Sequence, residues 1–265
     1  SCAGATDSSN PYGTPALPRK SIPFSIPAGA VVELHGNIYR DGGTGVPASY
    51  TSPNNITVNG TASAPVFVRG ASASDKPKII AGWSVGGAYA IFENLEFADA
   101  DGNLTTGPAG KFSIGSPSDH LVLRDSDVHG NLLGGGVAVA SWTTALTHDI
   151  VIYNNMVHDN GDMASTADQD AHGIFVGPNV NHIWIIDNTS TRNSGSGIVV
   201  NAGSGRNADT HHIYIGRNHA YNTQQAGIGI KQSSDVIISQ NTVHDILTNP
   251  STAGGSPSKG IGFQY

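Results

Sequence analysis

Lysine 231 closes the run AGIGIK, in which Gly227 and Gly229 alternate with isoleucine. Two missing side chains beside an amine leave the open backbone that a flat ligand such as a sugar ring needs. Such an amine can hold an anion or, once neutral, accept a proton. The bland alternative is a solvated surface lysine, the usual fate of this residue type. A second cluster lies in ADQDAHGIFV, where Asp168, Asp170 and His172 stand just before another Gly-Ile pair, with Asp159 and Asp162 shortly upstream. Carboxylates on adjacent loops suit a hard cation, so Asp159, Asp162, Asp168 and Asp170 are candidate Ca²⁺ ligands; a solvated acidic loop with no metal is the alternative. No cysteine pair and no histidine pair at metal-ligand spacing supports a zinc site.

A repeating scaffold positions these groups. The segments HLVLRDSDVHGN (120–131), DIVIYNNMVHDN (149–160), HIWIIDNTSTRN (182–193), HIYIGRNHAYNT (212–223) and DVIISQNTVHDI (235–246) superpose without gaps. Each opens with an alternating strand, and Ser126, Asn155, Asn188, Asn218 and Asn241 then fall in one column, with Asn94 assigned to it as well. Asparagine at one fixed point of every repeat can bond its amide to the identical residue above and below. A second short strand accompanies most repeats: GVAV, GIFV, GIVV, GIGI and GIGF, the last four Gly-Ile pairs being 24, 30 and 33 residues apart. One circuit of the chain is therefore about that long. Alternation turns Ile174, Val176, Ile198, Val200, Ile228 and Ile230 inward. Outward rows then hold Phe175, Val199, Gly229 and Gly262, and beside them Gly177, Asn201, Lys231 and Gln264, which makes Phe175, Asn201 and Gln264 candidate ligand contacts around the amine.

The fold expected is all-β: a single-stranded right-handed parallel β-helix of about seven coils, with residues 1–23 as tail and lead-in and 24–265 as the helical domain. Only 12% of residues are charged and 34 are glycine, which suits tight turns and narrow strands. A net charge of −7 excludes the basic footprint of a nucleic-acid binder. It leaves an acidic polysaccharide open as partner, because local cations can overrule the net field in a groove. No stretch reaches the roughly 20 apolar residues that span a bilayer. Cys2 followed by a polar run resembles the lipid-bearing N-terminus of a bacterial lipoprotein, so the expected location is secreted or surface-anchored; an ordinary residue in a loose tail is the alternative. The strand at 260–265 ends the sequence with no capping element, so the expectation is a monomer or a chain associated with a further C-terminal portion.

The opening IPAGAVVELHGNIYRDGG, with ITVNGTASAPVFVRG and PKIIAG, resembles polysaccharide lyases of the pectin-lyase-like superfamily, and with the repeats this likeness runs from about residue 24 onward. The resemblance implies β-elimination on a uronate polymer, alginate ahead of pectate. A groove lysine, here Lys231, would remove the C5 proton; Arg206 and Arg192, with Arg217 as a third choice, would clamp the carboxylate, and Tyr221 would protonate the leaving oxygen. Two rival readings attach to Asp168, Asp170 and His172. Paired aspartates near such strands resemble the acid and base of polygalacturonase-type hydrolases, and Asp170-Ala-His172 resembles the Asp-Pro-His of mannuronan C5-epimerases. A non-catalytic carbohydrate-binding or adhesive β-helix is the remaining alternative. His129, His158 and His244 recur at one repeat position and are read as structural, as is the stripe Trp184, Tyr214 and Ile237 on the long strand.

Overall fold

Alternating apolar residues in successive repeats can leave water only by stacking coil on coil, and that is the arrangement in the computed structural model. The structure describes residues 13–14, 16–36, 38–39, 54–80, 82–98, 110–132, 134–165, 169–203, 209–249 and 258–264. Cys2, Asp168 and Arg206 lie outside them. All strand pairings in the two sheets are parallel, each strand bonding to its counterpart in the neighbouring coils. Three ribbons result. The first contains Gly135–Val139, Ile174–Val176, Ile198–Asn201, Ala226–Lys231 and Lys259–Gln264; the second Thr147–Tyr153, Val180–Ile186, Thr210–Gly216 and Val236–Ser239; the third Asp127–His129, Met156–His158, Thr189–Thr191, His219–Tyr221 and Thr242–His244. The long strands Trp83–Glu93 and Gly110–Arg124 run through the first two ribbons without a break and join them into one sheet of 15 strands. The third ribbon has 8 strands among the described residues, so the coils exceed the expected seven. Its two earliest strands, Ile38–Tyr39 and Lys78–Ile79, precede the superposable repeats from which coils are counted.

The core is the predicted stack of aliphatics: Ile174, Val176, Ile198, Val200 and Ile228 are all fully buried. Gly173, Gly197 and Gly227 of the Gly-Ile pairs sit where the corner is closed to any side chain, whereas a Cβ on Gly260 would meet only ordinary contact at 4.0 Å. A Cβ on Gly173 would lie 2.1 Å from Ser190 Oγ, and one on Gly227 2.3 Å from Val243 Cγ1. Trp184, Tyr214 and Ile237 lie side by side in register on the second ribbon.

The corner between second and third ribbons carries the expected ladder. Asn155 Nδ2 donates to Asn188 Oδ1 at 3.0 Å, Asn188 Nδ2 to Asn218 Oδ1 at 3.0 Å, and Asn218 Nδ2 to Asn241 Oδ1 at 2.9 Å. Asn94 is not a rung. Glu96 pairs with Asp127, so Leu95 stands in the column and donates its N–H to Ser126 Oγ. Asn94 sits one place earlier in a left-handed conformation, φ 55°, which asparagine tolerates better than most residues. A second, shorter ladder that the repeats also encode runs along the next corner, where Asn160 Nδ2 donates to Asn193 Oδ1 at 2.8 Å. Among the described residues no helix is long and apolar enough to cross a membrane.

Candidate functional site

The outer face of the first ribbon gathers a floor of small residues and a few chemically capable side chains. Register places Asn201, Lys231 and Gln264 in one row and Phe175, Val199, Gly229 and Gly262 in the next. A shallow open depression lies over this floor, lined by Ser196, Gln225, Gly229, Lys231, Lys259 and Gln264, among others. Two cations therefore share it. Lys259 pairs in register with Ala226, in the row of residues that immediately precede each Gly-Ile glycine; counting rows from the glycine itself passes over it. Neither lysine has an ion-pair partner among the described residues.

His172 belongs to the same place. Its Nδ1 accepts the N–H of Ser196 at 2.9 Å, which assigns the proton of the neutral ring to Nε2. Burial pushes its pKa down to about 4; Asp170 opposes this and the charge of Lys231 adds to it. Asp170 Oδ1 lies 3.9 Å from His172 Nε2 and accepts a hydrogen bond from Gln225 Nε2 at 3.0 Å. Phe175 stacks at 6.1 Å on His172, and Trp142 stacks on its other side at 6.5 Å with 13° between the planes. Trp142 is 68% exposed and enters from the loop after the previous coil's strand, with no repeat signal to mark it. Its exposed ring extends the apolar surface beyond the glycine floor.

The depressed pKa of His172 makes the fold sensitive to acid. Above pH 6.5 the imidazole is neutral both folded and unfolded, and its contribution is intact. As pH falls from 6.5 toward 4, the unfolded chain takes up a proton that the folded chain refuses, so stability falls by about 3 kcal/mol across that window. Urea midpoints measured at pH 7 and pH 4.5 are expected to differ more for the wild type than for His172→Gln, which keeps an acceptor for Ser196 N–H but does not titrate. Equal pH dependence in the two proteins would refute the assignment.

Several predicted residues lie elsewhere. Arg192 and Arg217 occupy corner positions with φ of 50° and 55°, where the chain turns out of the ribbons. Arg192 grips Asp159 through Nε and Nη2, both at 2.6 Å, and the guanidinium holds the Asp159 carboxyl down at about 2. Arg217 donates to Asp187 in the same bidentate way, at 2.8 and 2.7 Å. Tyr221 is on the third ribbon, stacked on His219 and His244 at 4.4 and 5.2 Å. These three therefore do not join Lys231, whereas Lys259 does. The candidate Ca²⁺ ligands also do not converge among the described residues. Asp159 is committed to Arg192 and His158, Asp162 accepts the N–H of Ala164, and Asp170 is engaged by Gln225.

The family described as "Right handed beta helix region" matches residues 80–246. No curated protein sequence matches the chain. Among solved structures, the A-module of the Azotobacter vinelandii mannuronan C-5 epimerase AlgE4 is similar at 20% identity over 84% of this chain and 71% of its own, with a TM-score of 0.48. The periplasmic alginate epimerase AlgG is similar at 9% identity over 89% of this chain, with a TM-score of 0.52, and the chain spans only 60% of its length. An alginate lyase from Paenibacillus sp. is similar at 13% identity over 90% and 92% of the two chains, with a TM-score of 0.46. At 9% identity the likeness to AlgG shows the winding of the chain alone and leaves its chemistry to the residues.

Proposed function

The chain belongs to the right-handed β-helix family, and from that premise we propose that it cleaves a uronic-acid polysaccharide, alginate ahead of pectate, by β-elimination on the outer face of the first ribbon. The observation that carries this reading is the pair Lys231 and Lys259, both without ion-pair partners among the described residues, over a glycine floor beside a neutral histidine.

Removal of the C5 proton of a uronate is slow because the electron pair left behind must be stabilised on the neighbouring carboxylate. Lys259 is the cation for that carboxylate. Lys231, in its neutral form, takes the C5 proton; the electron pair becomes the C4–C5 double bond, and the C4–O bond breaks. The ammonium formed on Lys231 returns its proton to the departing oxygen, the role first assigned to Tyr221, while the neutral His172 can offer that oxygen only a hydrogen bond from Nε2–H. Trp142 and Phe175 would carry an adjacent sugar ring by stacking. Trp142→Ala is therefore expected to raise KM about tenfold with kcat nearly unchanged, the mark of uniform binding lost; a fall in kcat alone would remove Trp142 from the surface.

A C5-epimerase is the second reading, favoured by one feature, the Asp170-Ala-His172 run at the edge of the same depression. It shares proton abstraction and returns a proton to the opposite face. Incubation with polymannuronate, polyguluronate and polygalacturonate in D₂O separates these outcomes. Ultraviolet absorbance from an unsaturated product supports the lyase. Deuterium at C5 without absorbance supports the epimerase. Binding with neither rejects both in favour of a carbohydrate-binding β-helix.

A further inference from the structure

The third ribbon carries a second constellation, remote in role from the depression around Lys231. Asp127 and His129 are two residues apart on one strand and so share its outer face, and register sets His158 directly beside His129 on the next coil. We propose that Asp127, His129 and His158 bind a borderline divalent transition ion of the Zn²⁺ class, leaving a coordination position for water.

The geometry argues for this in three steps. The ligand atoms of these side chains all lie within 4.8 Å of one another. His158 Nε2 and Asp127 Oδ1 are already 3.0 Å apart, close to the spacing of two donors that each sit roughly 2.0–2.1 Å from one ion. The His129 ring is parallel to that of His158, 4.7 Å away with 6° between the planes, so the two rings would tilt toward each other to place one ion in the plane of both. The expectation that no close histidine pair exists was a property of linear spacing: 29 residues separate 129 from 158, and one circuit of the coil makes them neighbours.

The surroundings are those of a metal-binding imidazole. A ligating histidine is usually oriented by a carboxylate on its other nitrogen. Here Asp159 Oδ2 takes His158 Nδ1 at 2.5 Å and is itself fixed bidentately by Arg192, which leaves Nε2 facing Asp127. His129 Nε2 faces Glu96 Oε1 at 3.2 Å, but Lys78 holds that carboxylate at 2.7 Å, so Glu96 is not counted as a ligand. Two imidazole nitrogens and one carboxylate oxygen favour Zn²⁺, Ni²⁺ or Cu²⁺ over Ca²⁺ or Mg²⁺. The column ends at the following coil, where Thr191 replaces histidine. The ion would staple two adjacent coils on the outside of the ribbon.

Titration of the metal-free chain with Zn²⁺ against a chromogenic chelator is the test. One equivalent is expected at the tight site. His158→Asn and Asp127→Asn should each weaken it more than about 100-fold, and Asp159→Asn by about 10–100-fold through the orienting carboxylate. His219→Asn, in the neighbouring pair where His219 Nε2 lies 2.7 Å from His244 Nε2, should leave it unchanged. Far-ultraviolet circular dichroism verifies that each variant folds, and the Cu²⁺-loaded wild type should show electron-spin coupling to two nitrogens. No stoichiometric uptake by the wild type, affinity that survives in folded His158→Asn, or affinity lost in His219→Asn instead would each overturn the proposal.

Discussion

Alanine at Lys231 is expected to lower kcat on polymannuronate by roughly 10²–10⁴-fold, the range that a positioned proton acceptor supplies, with the urea midpoint unchanged. The fold should not notice because the amine has no ion-pair partner among the described residues, and the strand around it is fixed by backbone pairing to Asn201 and Gln264. Lys231→Arg separates the two roles that a lysine can fill. Guanidinium keeps the positive charge but does not give up its proton at accessible pH. If Lys231 only holds an anion, the arginine variant retains most of the activity; if it moves the C5 proton, that variant is as inactive as alanine. Lys259→Ala provides the contrast, since loss of the carboxylate partner should be felt more strongly with rising uronate content of the substrate. Retention of more than about a tenth of wild-type kcat in folded Lys231→Ala would end its assignment as the base.

The architecture was open to inspection in the sequence because its physics is periodic. Alternation, the asparagine column and the Gly-Ile spacing each repeat, and a repeated signal identifies the coil even where any one copy is ambiguous. The rows of the first ribbon followed directly, which is why Lys231, Asn201 and Gln264 were aligned correctly. What was not periodic was not legible. Lys259 and Trp142 are single residues at positions where the neighbouring coils have other side chains, and only the folded chain sets Lys259 over the depression and Trp142 against Phe175. Arg192 and Arg217 illustrate the opposite error. Both lie near a groove strand in the sequence, but the left-handed corner conformation turns each toward an aspartate one coil below. The histidine pair 129 and 158 was visible as a repeat and was read as structural, because a column shows which residues are adjacent without showing that their ring nitrogens converge.

Asn188→Ala is expected to be the most damaging single truncation on the ladder, at about 3–5 kcal/mol from the unpaired groups it would leave. Asn188 is buried, and its Oδ1 receives both the N–H and the Nδ2 of Asn155 at 3.0 Å. Its own Nδ2 donates to Ile152 O at 2.8 Å and to Asn218 Oδ1. Alanine strands the two Asn155 donors and takes a donor from Ile152 O on that same coil and from Asn218 Oδ1 on the coil beyond, all beside the fully buried Leu123 and Ile152. Serine is the informative comparison, since Ser126 already occupies this column, where its Oγ donates to Arg124 O and accepts from Leu95 N. Asn188→Ser should therefore lose about half as much, because a hydroxyl can serve one neighbour on each side. Position along the stack sets the rest. Asn241 is the last rung seen and is only partly buried, so Asn241→Ala removes support from one coil and should cost less than Asn188→Ala. In a solenoid whose stability is a sum of nearest-neighbour terms, the central variant should also lower the sharpness of the urea transition, as the stack divides into two units that unfold separately. Equal and small losses at both positions would mean that backbone pairing alone holds the coils together and that the ladder is a consequence of the winding.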